Sequence, residues 1–211
     1  MRVYVSVGST SNQRQEEFVV ELMALLKELD LDPQILGRTR WSADAPLEAI
    51  EKVMNDGCQG LLVVAFERWF LKDAIEKRGS PKQREVSGQY MPTPWNHIEA
   101  AMAYVKKMPV FVLAEEGFVH EGMLEENHDW YIQSLQLDPT ELHSDRVIAQ
   151  LKDWKASMAG TARTGLTPGD PARMSIRELV GSMRPGELYA AVAAFFAIVA
   201  AAFLLGQHLA R

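Results

Sequence analysis

Gly60-Leu61-Leu62-Val63-Val64-Ala65-Phe66 is the stretch on which the fold turns. A strand with one wet face alternates apolar and polar residues, whereas this run is apolar throughout and of strand length. That is the mark of a central parallel strand covered on both faces. It predicts a sheet interior, with helices packed above and below.

Working outward, the N-terminal side alternates strand and helix. Residues 3–7 form a short β-branched run ending in Gly8-Ser9-Thr10, and residues 12–29 place Phe18, Leu22, Leu25 and Leu29 at helical spacing. Asp32-Pro33 reads as a break, residues 34–37 as a second strand, and residues 46–55 as a second helix with Leu47, Ile50 and Val53 on one face. On the C-terminal side, residues 72–91 mix charges with Gly79, Pro81 and Gly88 and read as an inserted loop or lid. Thr93-Pro94 supplies an N-cap and a first-turn proline for a helix whose buried stripe is predicted as Trp95, Ile98, Met102 and Val105. Residues 109–114 form a fourth strand, residues 117–122 a loop, and residues 145–158 a last helix with Val147, Leu151 and Trp154 facing inward. This order implies an α/β fold, a flavodoxin-like doubly wound parallel sheet with right-handed crossovers, over residues 1–158.

Residues 159–187 change to a composition of Gly, Thr, Pro and Arg and read as a linker. Within it Ser175-Ile176-Arg177-Glu178 has capping-box spacing, and Ile176, Leu179, Val180 and Met183 form the apolar face of a short amphipathic helix. Residues 188–207 hold an uncharged core from Tyr189 to Gly206, long enough at ~1.5 Å per residue to cross most of a ~30 Å hydrocarbon layer, and are read as a single transmembrane helix. The alternative is a C-terminal helix buried in a homo-oligomer. Arg173, Arg177 and Arg184 precede the span and only His208 and Arg211 follow it. The positive-inside bias therefore predicts a single-pass, tail-anchored membrane protein with its N-terminal domain in the cytoplasm. Ala190, Ala194, Ala197 and Ala201 make a small-residue seam through which the span would self-associate, so a homo-oligomer is expected.

Charge and cysteine usage narrow the partners. The net charge of −6 over 211 residues, with no concentrated basic surface, argues against nucleic acid. A single cysteine, Cys58, forbids an intrachain disulfide, and the opening Met-Arg-Val-Tyr-Val-Ser is a strand pattern without a signal-peptide apolar region. The folded part is thus expected in a reducing cytosol.

In an open parallel sheet, ligands bind outside the carboxyl ends of the strands. Those ends here are polar and aromatic. Ser6, Gly8, Ser9 and Thr10 offer amides and hydroxyls at a helix N-terminus for a phosphate or a ribose, the alternative being a plain turn and N-cap. Arg38, Arg40 and Arg68 are placed to neutralise phosphates, with Glu67 beside the last of them. Trp41 and Trp69 are candidates to stack a base or nicotinamide, or else packing residues, and Trp95 is a further ligand-binding candidate. Glu99 is the sharpest candidate, because a carboxylate on the sheet-facing side of a helix is costly without work or a partner. Asn96 stands one turn earlier, able to bind the same substrate or orient the carboxylate. The alternative is a boundary glutamate paired with an arginine such as Arg68. His97 is expected to point to solvent, and neither it nor His120 or His128 has metal-ligand spacing, so no metal site is expected. No serine occupies a nucleophile elbow.

The strand 3–7, the stretch from Arg38 to Pro46 in the place of a connecting loop, the strand 61–66, Trp95-Asn-His-Ile-Glu99 and the strand after Pro109 together resemble TIR domains. In the NAD-cleaving members of that family a Trp-x-x-x-Glu helix carries the catalytic glutamate. The same order is similar to nucleoside 2-deoxyribosyltransferases, whose glutamate nucleophile lies in a helix leading to a strand like Lys107-Met108-Pro109-Val110. The likeness covers roughly residues 2–116. It departs in the long insertion 72–91 and in Thr93-Pro94-Trp95, where the transferases carry an Asp-Gly type pairing. What the resemblance implies is a membrane-anchored cytosolic nucleotide-binding domain that cleaves the N-glycosidic bond of NAD or a nucleoside derivative. Glu99 and Asn96 would be catalytic, with no cofactor required and NAD or a nucleotide as substrate or ligand. The alternatives are a non-catalytic nucleotide second-messenger sensor whose clustering acts on the membrane, as in the antiphage effectors that this domain pairing resembles, or a membrane-tethered TIR-like adaptor.

Overall fold

The structure, a computed structural model, describes residues 1–125 and 130–164. The chain divides into two units, Met1–Ala162 and Arg163–Arg211. The description below is of the first. The expected amphipathic helix, the transmembrane helix 188–207, its alanine seam and His128 lie outside the described residues. Among the described residues, no helix is long and apolar enough to cross a membrane.

β1 (Arg2–Val7), β2 (Asp32–Gln34) and β3 (Cys58–Ala65) are joined by α1 (Gln13–Glu28) and α2 (Pro46–Asn55). After β3 come four short strands, β4 (Trp69–Leu71), β5 (Ile75–Glu76), β6 (Arg84–Glu85) and β7 (Gln89–Met91). The chain continues through α3 (Pro94–Val105), β8 (Val110–Glu115), β9 (Tyr131–Leu135) and α4 (Asp145–Thr164). The main sheet has five strands in the order β2-β1-β3-β8-β9, every neighbouring pair parallel. That is the doubly wound order that reverses between β1 and β3.

β3 sits at the centre and explains its own sequence. Leu62 and Val64 belong to the cluster under α1 and α4, with Phe18, Leu22, Val147 and Leu151. Leu61, Val63 and Ala65 belong to the opposite cluster, with Ile50 and Val53 of α2 and Ala100 and Ala103 of α3. A strand that must feed two cores has no position left for a polar side chain. Gly60 serves the same end: a Cβ there would lie 2.4 Å from Met158 Sδ and 2.9 Å from a Trp154 ring carbon, so α4 closes on the sheet over this residue.

Several expectations are corrected. Asp32-Pro33 is not a break but part of β2, with Pro33 opposite Val3; an edge strand tolerates proline because one side of its ladder is unused. The insertion 72–91 is not a loop. β4 pairs antiparallel with β7 and β5 with β6, forming a β-arm whose base is fastened by Tyr90 N–H to Gly117 O at 2.9 Å and Val119 N–H to Tyr90 O at 2.8 Å. β9 is a further strand, unmarked in the sequence because Gln133 and Ser134 interrupt its apolar pattern. On α2, Leu47 is exposed, and Ala49 and Met54 join Ile50 and Val53 in the core.

The largest correction concerns α3. Its buried face is Asn96, Glu99, Ala100 and Ala103, while Trp95 is 42% exposed, Ile98 38% and Val105 76%. Two alanines let the helix backbone approach the sheet closely, and the two polar residues are accepted because partners wait for them. Of the large apolar side chains, Trp95, Ile98 and Val105 are left outside, while Met102 is half-buried against the core.

Candidate functional site

β1 supplies one wall of the site through strand alternation. Val3 and Val5 face α1, so Tyr4 and Ser6 face α3, buried to 1% and 0% exposure. α3 runs back down the sheet from its Thr93 cap, so Asn96 meets Ser6 near the end of β1, and Glu99, one turn deeper, meets Tyr4. The spacings match: three helical residues advance ~4.5 Å and two strand residues ~6.6 Å, so both pairs are in reach at once.

The geometry leaves Glu99 with specific partners. Tyr4 Oη donates to Glu99 Oε1 at 2.9 Å. Asn96 Nδ2 donates to Ser6 Oγ at 2.9 Å and to Ser6 O at 3.2 Å, with Val64 O on β3 at 3.5 Å. The Ser6 hydroxyl, whose oxygen accepts from Asn96, lies beside Glu99 and favours its charged form. Burial raises the Glu99 carboxyl above the usual carboxylate range, and the Ser6 and Tyr4 hydroxyls pull it partly back. Burial and the neighbouring carboxylate hold the Tyr4 phenol protonated far beyond neutral pH, so it serves only as a donor. The expected alternative pairing with Arg68 does not form: Glu99 is held by hydroxyls, and Arg68 reaches Ser9 instead.

Glu99 is 8% exposed and forms the floor of a cleft of about 490 Å³. Val7, Gly8 and Ser9 make one wall, Thr93, Trp95 and Asn96 another, and Arg68 and Trp69 the rim. The contacts to Ser6 on β1 and Val64 on β3 place it at the strand pair where the winding reverses. Gly8 is where the β1–α1 turn passes the α3 cap, since a Cβ would come within 3.3 Å of Thr93 Cγ2.

Beyond the Val7-Gly8-Ser9 crest lies a second hollow of about 500 Å³, lined by Thr10, Glu16, Leu36, Gly37 and Arg38. Arg38 is committed there: its two terminal nitrogens donate to the Glu16 oxygens at 2.7 and 2.5 Å, and Thr10 Oγ1 donates to Glu16 at 2.6 Å. These bonds hold the Glu16 carboxyl down at about 2, Arg38 contributing most. In this structure the guanidinium is spent on Glu16.

The remaining sequence candidates divide. Arg68 reaches Ser9 Oγ at 3.4 Å and stays at the cleft rim beside Trp69. Arg40 goes elsewhere, pairing with Gln34 and with Asp56, which also holds Arg2 at the opposite end of β1. Trp41 is 77% exposed and lines neither hollow. Glu67 contributes backbone, its N–H donating to Glu115 Oε2 at 2.9 Å and its carbonyl accepting from Gln15 Nε2 at 2.9 Å. His97 is half-buried, not solvent-facing, with Gly122 against its ring and its pKa lowered by burial. Among the described residues, no group of three or more His, Cys, Asp or Glu could hold a metal. Tyr4 is the functional residue that residue-by-residue reading missed; its signal was a tyrosine on the same strand face as Ser6.

No family model matches the chain, and no curated protein matches it. Among solved structures, it is similar to the Clostridium botulinum CMP N-glycosidase BcmB at 15% identity, over 73% of this chain and 99% of that one, with a TM-score of 0.39. The Vibrio vulnificus NanR protein complexed with ManNAc-6P matches at 12% identity over 77% of this chain and 54% of its own, TM-score 0.36. A flavone reductase matches at 12% identity over 77% of this chain and 63% of its own, TM-score 0.32. Likenesses this slight carry no argument about chemistry. The reading of the site stands on its geometry.

Proposed function

We propose that the Glu99 cleft binds a nucleotide-type small molecule and cleaves its N-glycosidic bond. The observation that carries the reading is a carboxylate at the floor of a cleft, at the winding reversal of a parallel sheet, held by hydroxyl donors and, among the described residues, by no cation. A carboxylate paired with an arginine has its charge spent. One held by Tyr4 and Ser6 keeps it for a cationic centre.

In this reading the anomeric carbon of the ribose settles over Glu99. As the C1′–N bond breaks, its electron pair leaves with the base, and the carboxylate stabilises or captures the oxocarbenium-like sugar. Water then adds to C1′ and releases a proton. Tyr4 holds one oxygen of Glu99, and the Asn96–Ser6 pair fixes the carboxylate from the strand side. Trp69 and Trp95 supply flat surfaces for a base, and Arg68 supplies positive charge at the rim for a phosphate. Among the described residues lining this cleft, Glu99 is the only carboxyl group, so no second one stands ready to protonate the departing base. That favours a leaving group already cationic, such as the nicotinamide of NAD, over a neutral one. The chemistry requires no cofactor. Tail anchoring through residues 188–207, with this domain in the cytoplasm, belongs to the same proposal.

The test is incubation of the full chain with NAD and with nucleosides, followed by chromatography for free base. The expected result is base released by the wild type and none by Glu99→Gln. Saturable binding with unchanged ligand would replace the enzyme reading by the sensor reading.

A further inference from the structure

At the end of the sheet opposite the Glu99 cleft, where β8 and β9 begin, a groove of about 710 Å³ is lined by the C-terminal end of α3 and by one face of α4. Its walls are aromatic. Phe111, only 1% exposed, stacks within 6° of Tyr131 on the neighbouring strand at 6.4 Å between ring centres, and Trp154 of α4 meets Phe111 at 6.0 Å. The stack ends on Tyr131, on the edge strand and 56% exposed. Three polar side chains line the same groove: Lys107 just beyond α3, and Gln150 and Asp153 one turn apart on α4. We infer that this groove binds a small aromatic zwitterion, of which an aromatic α-amino acid is the simplest member. Its ring would extend the stack on Tyr131, its ammonium would meet Gln150 and Asp153, and its carboxylate would meet Lys107.

Two of the polar groups stand there at a cost. Gln150 Oε1 is buried and meets no hydrogen-bond partner among the described residues, and a buried acceptor left so forfeits the hydration it had in the unfolded chain. It calls for a donor. Lys107 follows the α3 C-cap with a φ of 58°, in a turn closed by Lys107 N–H to Tyr104 O and Met108 N–H to Ala103 O, both at 3.0 Å. Glycine is the usual occupant of that left-handed position, because a Cβ is strained there. What lysine brings instead is an ammonium held at the groove, 5.3 Å from the centre of the Tyr104 ring and in no ion pair among the described residues. Asp153 likewise pairs with no cation among them. Charge then decides the class of ligand. A phosphate ester would gain from Lys107 but meet the Asp153 carboxylate, and a simple amine would gain from Asp153 but meet Lys107, whereas a zwitterion satisfies both. The flat apolar wall selects a ring, and the volume falls within the ~300–1,000 Å³ of small-molecule pockets. No residue of this groove belongs to the Glu99 cleft.

The test is titration calorimetry of the full chain with three probes: L-tryptophan, tryptamine, which lacks the carboxylate, and indole-3-propionate, which lacks the ammonium. L-tryptophan should bind saturably and at least ~tenfold more tightly than either of the others. Asp153→Asn should weaken tryptophan and tryptamine and spare indole-3-propionate. Lys107→Gly should weaken tryptophan and indole-3-propionate and spare tryptamine, while melting no lower than the wild type because glycine relieves the left-handed backbone. Tyr131→Ala, at an exposed position, should weaken all three. Equal binding of the three probes overturns the inference, as does an order of affinities that neither charge variant changes. Absence of saturable tryptophan binding at millimolar concentration overturns it too, and AMP binding that Lys107→Gly abolishes would then make a nucleotide the occupant. Glu99→Gln should bind tryptophan as the wild type does, so failure of the glycosidase reading and failure of this one are told apart.

Discussion

Replacing Tyr4 by phenylalanine removes one oxygen atom from a fully buried position and nothing else. Tyr4 is 1% exposed and its ring stays packed against Leu61 and Val63 in either variant, so the backbone has no reason to move. What is lost is the 2.9 Å bond to Glu99 Oε1. A hydrogen bond to a charged group is worth ~1.5–3 kcal/mol, and a buried carboxylate that loses one is disfavoured relative to its protonated form. The Glu99 carboxyl, already raised by burial, must therefore rise further in Tyr4→Phe. In the proposed reaction the working form is the carboxylate. The acid limb of the pH profile of kcat/KM should thus move to higher pH, with a loss of ~10- to 150-fold on that limb that shrinks on the alkaline side. The assay is base release from NAD followed across pH, alongside thermal melting. A Tyr4→Phe profile that superimposes on the wild type, in a protein that melts normally, would refute the assignment of Tyr4 as the positioning residue of Glu99.

Glu99→Gln should abolish base release, a loss of ~3 kcal/mol or more in transition-state stabilisation, while leaving the fold intact. The same substitution carries a stability signature of definite sign. A carboxyl raised in the folded state contributes stability that is fully present below its unfolded value near 4.5 and is lost as pH rises through its folded value. Glu99→Gln should consequently gain on the wild type as pH rises, melting higher at pH 8, and the difference should vanish in acid; a constant difference across pH would contradict it. Gly60→Ala should destabilise by ~1–3 kcal/mol in chemical denaturation, because the new methyl falls 2.4 Å from Met158 Sδ. Relief by Gly60→Ala with Met158→Ala is expected, and its absence would place the strain elsewhere. Arg38→Ala should leave ligand affinity within about threefold, since Glu16 already occupies that guanidinium. A tenfold loss of affinity in titration calorimetry would show that the pair opens for phosphate.

The sheet was legible because burial on two faces imposes a simple constraint. Residues 60–66 admit no polar side chain if both cores are to close, and the strand-helix alternation around them leaves few topologies. The edges were less legible for the converse reason. Pro33 reads as a break until β2 is known to be an edge, and Gln133 obscures β9 until its amide is seen to be satisfied locally, by Ser134 O at 2.5 Å. The arm of β4–β7 was obscured because its strands are two or three residues long and largely exposed, which leaves no buried alternation to read. Among the site residues, Ser6, Gly8, Asn96 and Glu99 were legible as polar residues at strand ends and on a helix beside them. For Arg38 and Arg40 the sequence shows a cation's presence and not its partner, here Glu16 for one and Asp56 for the other.

The misreading of α3 and the identification of its site have one cause. Periodicity assigns the most apolar stripe of a helix to the core, and α3 offers Trp95, Ile98, Met102 and Val105. The helix instead turns Asn96, Glu99, Ala100 and Ala103 to the sheet. That orientation forfeits the burial of large side chains on the outer stripe, each worth ~1.5–3 kcal/mol when fully buried, and accepts the desolvation of a carboxylate. Two small alanines and the hydroxyls waiting on β1 make it possible: the alanines bring the helix backbone close to the sheet, and Tyr4 and Ser6 then stand at hydrogen-bond distance from Glu99 and Asn96, so the polar side chains are met by partners at the depth to which the alanines admit them.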